Sequence, residues 1–432
     1  VYCESTRKLY LPRYYGLANF GTPKLNKLDF GEEINLNFPL TLKDKQKPIV
    51  EKYLEVAKDI GGGIISVPCG YGKTVIGLYL ASVLKVKTLV VVHKEFLVNQ
   101  WKERIKQFLP EARIGRLQSN KIFIDNYDIV IGMLQSISMI EYDPEIFSSF
   151  GFVIYDECHH LGAETFSKAL GKTGFKYTLG LSATPQRADG LTKVFQWHLG
   201  DICYQIKKRD DNNVNVKLIN YEDDNEDYSK LILNYNKKPN TPRMINNICN
   251  FTPRTELIIR EIIRLGDEGR KILVLSDRRE HLKQIKTMLD EKSKYTSGYY
   301  LGGMKEEELN ITETKDVILG TFMMASEGFD CKYPLDSIVL TSPKSNIEQA
   351  VGRILRQEVK DRKFVPIVID ICDMFSLFKA QTNKRIKFYE KNKYSINLYD
   401  KDDNTLEYES PKKKTQRKKK EQECNFDFLP ED

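Results

Sequence analysis

The sequence lacks any apolar run of about 18 residues, the length that a membrane-spanning helix needs. It also lacks an apolar signal segment near its start and any C-x-x-C pair, since its eight cysteines stand far apart. Zinc fingers and zinc ribbons are therefore excluded, and scattered single thiols favour a reducing, intracellular compartment. Charge of one sign is not in large excess either. The 67 basic residues face 60 acidic ones, so the net charge of +7 permits a nucleic-acid partner without requiring one.

Short apolar runs alternate with amphipathic segments from about residue 38 onward. The runs are uniformly apolar and rich in β-branched residues, as strands buried in a parallel sheet are, and the segments between them are long enough for crossover helices. A first series lies at residues 63–67, 88–92, 128–131, 152–155 and 177–181. A second series lies at residues 271–275, 316–319, 336–340 and 364–369. This alternation predicts an α/β fold with two domains, each a parallel sheet with helices on both faces.

Composition predicts how the chain is divided outside these series. Residues 1–37 are expected to form an N-terminal extension lying on the first domain, which covers 38–204. Residues 205–250 are dense in Asn, Asp, Lys and Pro, which predicts a connector with some local structure but no core strand. The second domain then covers 251–400. Residues 401–432 predict a disordered basic tail, either simply solvated, or binding phosphate non-specifically, or directing nuclear import.

The first chemical motif is a glycine-containing turn between a predicted strand and a predicted helix, Pro68-Cys69-Gly70-Tyr71-Gly72-Lys73-Thr74. Backbone N–H groups of such a turn bind an anion together with the helix N-terminus. Lys73 would reach the terminal phosphates of a nucleotide, and the Thr74 hydroxyl would bind Mg²⁺. Val67 stands where the general phosphate-loop pattern has its first glycine, so Gly70 supplies the flexibility inside the loop. A purely structural turn is the alternative.

The second motif follows the apolar run 152–155, which leads into Asp156-Glu157-Cys158-His159. An acidic pair after a buried strand is typical of the Walker B arrangement, in which Asp156 would hold Mg²⁺ and Glu157 would polarise the attacking water. Acidic residues are also common in turns after strands, so the pair gains its weight from the phosphate loop. His159 and His160 have no third metal ligand nearby in the sequence, which excludes a zinc site.

With these residues the chain resembles the DExH-type superfamily 2 helicases, over residues of about 42–370. The resemblance implies two tandem RecA-like domains, ATP and Mg²⁺ as cofactors, and nucleic acid as the partner. It implies that Ser182-Ala183-Thr184 couples hydrolysis to strand movement, and that Gln46 reads adenine, with a surface amide as the alternative for Gln46. It also implies nucleic-acid contacts by the segments after two strands, which contain His93, Lys94, Gln135 and Ser136.

The same resemblance extends into the second domain. The resemblance implies that Arg278 of the fourth family motif and Thr321 of the fifth contact nucleic acid. It also implies that Gly328 and Asp330 of the fifth motif contact the nucleotide. The sixth motif, Gln-x-x-Gly-Arg-x-x-Arg, is matched by Gln349, Arg353 and Arg356 with Gly352 between them. Two arginines three apart lie on one face of a helix. They would act as arginine fingers on a phosphate bound by the first domain, and all three residues are predicted to be catalytic.

A finer resemblance concerns residues 185–190, which are similar to the Arg-Glu-Asp element of the xeroderma pigmentosum group B-like branch. Arg187 would contact nucleic acid, and Ala188 replaces the central glutamate of that element. The compact core and the Lys-, Asn-, Ile- and Tyr-rich composition resemble helicases of large cytoplasmic DNA viruses, including the poxvirus transcript-release type.

Together these resemblances predict an ATP-dependent helicase or translocase, acting on DNA rather than RNA, in transcription or repair. No membrane partner is expected. The host cytoplasm or the virion is the expected location, with the nucleus as an alternative because of the basic tail. An ATP-binding scaffold without motor activity, inside a transcription or repair assembly, is the alternative function.

Overall fold

The computed structural model describes residues 2–408 except 27, 29, 69, 163, 184, 186–189, 207–212, 328 and 330, and it describes only the backbone at 3, 164, 326 and 327. The chain divides into two compact units, Val1–Lys208 and Arg209–Asp432. In the described part of the chain, no helix is both long enough and apolar enough to cross a membrane.

The first unit is built on one eight-stranded sheet. Its strands, together with a short N-terminal hairpin of β1 and β2, are β1 (Cys3–Glu4), β2 (Leu9–Tyr10), β3 (Gly62–Ser66), β4 (Thr88–Val92), β5 (Ile114–Gln118), β6 (Lys121–Phe123), β7 (Ile129–Met133), β8 (Phe152–Asp156), β9 (Tyr177–Ser182) and β10 (Ile202–Gln205). Its helices are α1 (Arg13–Phe20), α2 (Lys47–Asp59), α3 (Lys73–Leu84), α4 (Glu95–Phe108), α5 (Leu134–Met139), α6 (Glu145–Ser148), α7 (Glu164–Lys172) and α8 (Thr192–Leu199), with a 3₁₀ helix at Cys158–Gly162. The strand order is β10-β3-β9-β8-β4-β7-β5-β6, and every pair is parallel except β5 with β6.

Helices cover both faces of this sheet, because adjacent strand residues enter two different hydrophobic clusters. Ile65 packs in a cluster with Ile76 of α3 and Trp101 of α4, whereas Ile64 packs in a cluster with Phe195 of α8. Since successive side chains of a strand point to opposite faces, the two clusters lie on opposite sides of the sheet. This double coverage explains why every residue of β3, β4 and β7 is buried.

The second unit repeats the architecture with a second eight-stranded sheet. Its strands are β11 (Asn215–Tyr221), β12 (Ile272–Ser276), β13 (Ser297–Tyr300), β14 (Val317–Thr321), β15 (Ser337–Leu340), β16 (Ile367–Asp373), β17 (Ser395–Asp400) and β18 (Thr405–Leu406). Its helices are α9 (Glu226–Ser229), α10 (Thr241–Asn250), α11 (Thr252–Asp267), α12 (Arg279–Lys292), α13 (Glu306–Glu313), α14 (Phe322–Glu327), α15 (Glu348–Val351) and α16 (Phe378–Lys391), with 3₁₀ helices at Gly352–Leu355 and Val359–Asp361. The order is β13-β14-β12-β15-β16-β11-β17-β18, parallel except for β17 with β18. The predicted fold of two parallel-sheet α/β domains is confirmed.

The prediction that residues 205–250 contain no core strand is wrong. β11 pairs with β16 on one side and with β17 on the other, and it carries buried Val216, Leu218 and Ile219. Lys217 interrupts this run, which hides the strand in the sequence. Its Nζ is neutralised by Glu261 Oε1 at 2.8 Å and by Asp403 Oδ1 at 2.6 Å. Both partners are remote in sequence, so no local pattern predicts that a lysine is tolerated in the sheet.

The predicted start of the tail at residue 401 is also wrong. Thr405 and Leu406 form β18, which pairs antiparallel with Tyr399 and Leu398 of β17. The second sheet therefore continues past residue 400. Residues 409–432, which contain the lysine runs, lie outside the described residues.

Candidate active site

The phosphate loop predicted from the sequence lies between β3 and α3. Gly72, directly before α3, has a φ of +79°, and Gly70 has a φ of +88°. Such left-handed conformations are unfavourable for residues with a Cβ, which accounts for glycine at both positions. The structure shows no side-chain cap at the start of α3. The first-turn N–H groups of any α-helix point out of its N-terminus, and in this unit the phosphate loop leads directly into that end of α3, where an anion would be stabilised.

Gln46 fastens this loop to the start of α2. Its Nε2 donates to the carbonyl oxygen of Tyr71 at 2.9 Å, and its Oε1 accepts from the backbone N–H of Lys43 at 3.0 Å. A Cβ at Gly72 would stand 2.5 Å from the same Nε2. The Gln46 side chain is only 4% exposed, so the alternative of a surface amide does not hold. Recognition of adenine by Gln46 stays a prediction.

Lys73 and Glu157 form an ion pair across the site. Lys73 Nζ lies 2.5 Å from Glu157 Oε1, and each side chain is 12% exposed. Burial alone would raise the pKa of Glu157, but the Lys73 ammonium and the neighbouring His159 outweigh it and hold the pKa well below its usual range. Glu157 has a φ of +48°, an uncommon backbone conformation for a residue with a side chain. The pair places an ionised carboxylate beside the phosphate loop.

The Asp156 carboxylate is held at both oxygens. Its Oδ2 accepts from Trp101 Nε1 at 2.9 Å, and its Oδ1 accepts from the backbone N–H of Glu157 at 3.1 Å. Burial raises the pKa of Asp156, and the charge of Glu157 raises it further, while Lys73 and the Trp101 hydrogen bond act in the opposite direction. The described residues contain no cluster of three or more His, Cys, Asp or Glu side chains that could hold a metal alone. Mg²⁺ suits such a site, since it commonly takes one or two carboxylates together with substrate phosphates.

Three histidine rings extend from this acidic pair towards β4. His159 Nδ1 lies 3.0 Å from Ser182 Oγ and 3.4 Å from Glu157 Oε2. The ring centroid of His160 lies 4.3 Å from that of His159 and 4.0 Å from that of His93. The structure therefore brings Ser182 of the predicted coupling motif to the Walker B segment, with the histidines packed beside it.

Four predicted nucleic-acid contacts of the first unit, in the segments after β4 and β7, lie at one edge of the sheet. β4 pairs in parallel with β7, with Val92 opposite Met133, so the segments after the two strands are neighbours. Gln135 Nε2 donates to the carbonyl oxygen of His93 at 2.6 Å. Lys94 precedes α4, and burial lowers its pKa. Ser136 is buried and accepts a hydrogen bond from the backbone of the β5–β6 turn. These residues are brought together, while their binding of nucleic acid stays a prediction.

In the second unit the two motif arginines share one backbone partner. Arg353 Nη1 and Arg356 Nη2 donate to the carbonyl oxygen of Phe329 at 2.8 and 2.6 Å, and Arg353 Nε donates to Ala325 at 2.6 Å. The helix expected there is short: Gln349 lies in α15, and a 3₁₀ helix from Gly352 to Leu355 follows. Arg353 lies in this 3₁₀ helix and Arg356 follows it directly, and their shared acceptor places both guanidinium groups on one side.

The other predicted residues of the second unit are dispersed. Arg278 is fastened to α10, since its Nε donates to Asn246 Oδ1 at 2.5 Å and its Nη2 donates to the carbonyl oxygen of Pro242 at 3.1 Å. Thr321 ends β14. The predicted site residues that lie outside the described residues are Cys69, Thr184, Arg187, Gly328 and Asp330. The roles predicted for the site residues stay predictions.

Two contacts of this site were not predicted from the sequence. Trp101 donates directly to the Walker B aspartate from the middle of α4, and His160 packs on His93. An amphipathic helix predicts only that Trp101 is buried, not which group its N–H meets. No sequence pattern indicates that the His160 ring, one residue after the acidic motif, packs on His93. Both contacts join elements that are far apart in the sequence.

Comparison with known proteins extends these findings. The family model described as "Type III restriction enzyme, res subunit" matches residues 39–187. A "Putative ATP-dependent RNA helicase" of Acanthamoeba polyphaga mimivirus is 37% identical over 411 residues, which are 92% of this chain and 78% of the relative. A "Putative ATP-dependent RNA helicase" of African swine fever virus (isolate Pig/Kenya/KEN-50/1950) is 28% identical, over 84% of this chain and 75% of the relative. A "Putative helicase" of Invertebrate iridescent virus 6 is 26% identical, over 86% and 85%.

Among solved structures, the crystal structure of T4 UvsW covers 92% of this chain and 89% of its own, at 20% identity and a TM-score of 0.36, too low a similarity to support an inference. The mimivirus relative shows the family, because it is 37% identical to this chain over most of both sequences. The match agrees with the structure, which has two parallel-sheet units and an ion pair between the phosphate loop and the acidic pair. The chain therefore belongs to the superfamily 2 helicases and is an ATP-dependent enzyme of the helicase type.

Proposed function

We propose that the chain is a nucleic-acid-stimulated ATPase that moves along a strand, as a helicase or a translocase. The observation that carries this proposal is the shared edge of the first sheet. Asp156 ends β8 and Glu157 follows it, His93 follows the neighbouring β4, and Gln135 follows the next strand, β7. Ligands of parallel α/β sheets bind beyond the carboxyl ends of the strands. Because the residues proposed for ATP hydrolysis and for nucleic-acid binding lie at the same edge of the sheet, binding of a strand can be coupled to hydrolysis.

The proposed chemistry follows from the groups around the phosphate loop. Lys73 exchanges the Glu157 carboxylate for a terminal phosphate oxygen, which frees Glu157 to polarise the attacking water. Mg²⁺, when bound, would neutralise phosphate charge. Asp156 fits as one of its protein ligands, since Trp101 and the Glu157 N–H fix the orientation of the carboxylate. Thr74 is proposed as the other from its place in the phosphate-loop motif. This set of roles is typical of phosphoryl-transfer sites, in which positioning and charge supply most of the rate.

The sixth-motif residues of the second unit are proposed to take part in the same hydrolysis. From the family resemblance, Arg353 and Arg356 stabilise charge that develops on the transferred phosphate, and Gln349 assists them. Both arginines donate to the Phe329 carbonyl oxygen, so an arginine that turned to a phosphate would break its hydrogen bond to the segment around Phe329. We keep 38–204 as the proposed ATP-binding domain. The second domain is proposed to begin at β11 rather than at residue 251, because β11 is a strand of its sheet.

DNA is the substrate we propose, in transcription or repair, because residues 185–190 resemble the Arg-Glu-Asp element of the xeroderma pigmentosum group B-like branch. RNA is the second candidate, favoured by the printed names of the mimivirus and African swine fever virus relatives. Those relatives are viral, and we propose that the chain is similar to the helicases of large cytoplasmic DNA viruses, including the poxvirus transcript-release type. A scaffold without motor activity is disfavoured by the intact Lys73–Glu157 pair.

The test is the ATPase rate with single-stranded DNA, duplex DNA and RNA as stimulators, with Lys73→Ala as the inactive control. Stimulation by DNA above RNA is expected, and stimulation by RNA alone would overturn the DNA assignment. No stimulation by any of the three would overturn the proposed function. Strand displacement, measured beside displacement of a third strand from a triplex, then separates a helicase from a translocase that leaves the duplex closed.

A further inference from the structure

The histidine stack of the first unit consists of His93, His160 and His159. His160 lies in the middle, with its ring tilted by 34° to His93 and by 35° to His159. Centroid distances of 4.0 and 4.3 Å are those of rings in direct contact. A displacement of either outer ring therefore acts on the central one.

The two ends of the stack contact residues with different proposed roles. At one end, His159 Nδ1 lies 3.4 Å from Glu157 Oε2 and 3.0 Å from Ser182 Oγ. At the other end, His93 belongs to the segment after β4, and its carbonyl oxygen accepts from Gln135 Nε2 at 2.6 Å. The stack thus runs from the acid that is proposed to activate water to the residues that are proposed to contact the strand.

The ring contact between His93 and His160 does not require either ring to be charged. Burial lowers the pKa of His93 and lowers that of His160 to about 3, and the Lys94 ammonium acts in the same direction at both rings. The carboxylates of Asp156 and Glu157 face His93, and Glu157 also faces His160, with the opposite effect. Near neutral pH both rings are consequently uncharged, and screening by salt should not disrupt their contact.

We propose that His160 is a positioning residue that couples strand binding to ATP hydrolysis by transmitting movement between His93 and His159. This inference rests on the proposed function. A strand that moves the His93–Lys94 segment shifts His160, and His160 shifts the loop that carries Glu157. Coupling through packed side chains needs two arrangements of the packed group. The uncommon backbone conformation of Glu157 marks the loop in which a second arrangement would arise.

The test measures coupling by binding, without turnover. The Kd of a short fluorescent oligonucleotide is measured with and without a non-hydrolysable ATP analogue, and the ratio of the two values is the coupling factor. Such factors are typically about 5- to 150-fold, and linkage requires the strand to change analogue affinity by the same factor. In His160→Ala the factor should fall to near one, while each ligand alone binds as in the parent protein. His160→Phe, which keeps a ring, should retain most of the factor.

His198→Ala is the matched control, because His198 is a histidine of the same unit whose pKa burial lowers to about 4 but which lies in α8. It should leave the factor unchanged. If His160→Ala does not fold, as judged by circular dichroism, His160→Leu replaces it with the same expected loss. An unchanged factor in the folded Ala or Leu variant, or a lost factor in folded His160→Phe, would overturn the proposal. A parent protein whose ATPase no polynucleotide stimulates would instead refute the proposed function.

Discussion

Replacing Glu157 with glutamine should uncouple ATP binding from hydrolysis and also strengthen the binding. In the parent protein, Lys73 must leave a carboxylate at 2.5 Å before it can bind a phosphate oxygen. Lys73 stays charged in Glu157→Gln, so the substitution removes only the attraction between opposite charges, which contributes up to about 1 kcal/mol even in exposed ion pairs. The amide of Glu157→Gln therefore holds Lys73 less strongly, by about 1 kcal/mol, which corresponds to roughly fivefold tighter ATP binding.

Turnover should move in the opposite direction. A positioned general base contributes about 10²–10⁴ to the rate, so the stimulated rate of Glu157→Gln should fall by at least about 100-fold. A titration with fluorescent nucleotide gives the affinity, and release of inorganic phosphate gives the rate. Glu141→Gln is the control, because Glu141 pairs with Lys172 in the same unit but is 86% exposed. Lys73→Ala, which removes the phosphate-reaching cation, should weaken ATP binding instead.

Two results would refute this reasoning. Parent-like turnover in Glu157→Gln would show that Glu157 is not the acid that activates water. Weaker ATP binding in the same variant would show that the pair with Lys73 prepares the phosphate site rather than competing with the nucleotide.

Four further predictions concern other parts of the molecule. Trp101→Phe removes the N–H donated to Asp156 and should raise the Mg²⁺ concentration needed for half-maximal nucleotide binding by about 10- to 100-fold. The control Trp197→Phe should leave this concentration unchanged. Equal Mg²⁺ requirements in the two variants would contradict the positioning of Asp156 by Trp101. Arg356→Ala should lower stimulated ATPase by about 10³-fold with a smaller loss of ATP affinity than Lys73→Ala; a parent-like rate would exclude the arginine finger. Removing residues 409–432 should reduce the salt dependence of strand affinity at unchanged thermal stability. Removing 401–432 should also lower the melting temperature, because it deletes β18 and one acidic partner of a buried lysine; identical melting curves would contradict this.

The sequence predicts those features that depend on local patterns. Buried parallel strands are apolar throughout, so their alternation with helices is visible without a structure. The phosphate loop and the Asp156–Glu157 pair are likewise contiguous motifs. Gly72 is explained by its positive φ, a backbone conformation that depends on the local turn.

Features that depend on remote partners are not predictable in this way. β11 is hidden because Lys217 finds Glu261 and Asp403 only in the folded unit. The hydrogen bond from Trp101 to Asp156 and the contact between His160 and His93 join separate elements. No periodicity of a single segment specifies which side chain a buried group will meet.

The place of β11 in the second sheet also determines when that unit can fold during synthesis. Residues 215–221 are translated early in the unit, yet their hydrogen-bonding partners are residues 367–373 and 395–400. Closing so long a loop costs entropy that the contacts regain only after the late strands have left the ribosome. Until then β11 is a nascent strand with two unpaired edges, a template for pairing with other chains. A ribosome that stalls before residue 395 would therefore hold a chain whose first unit is complete and whose second unit depends on chaperones to remain unaggregated.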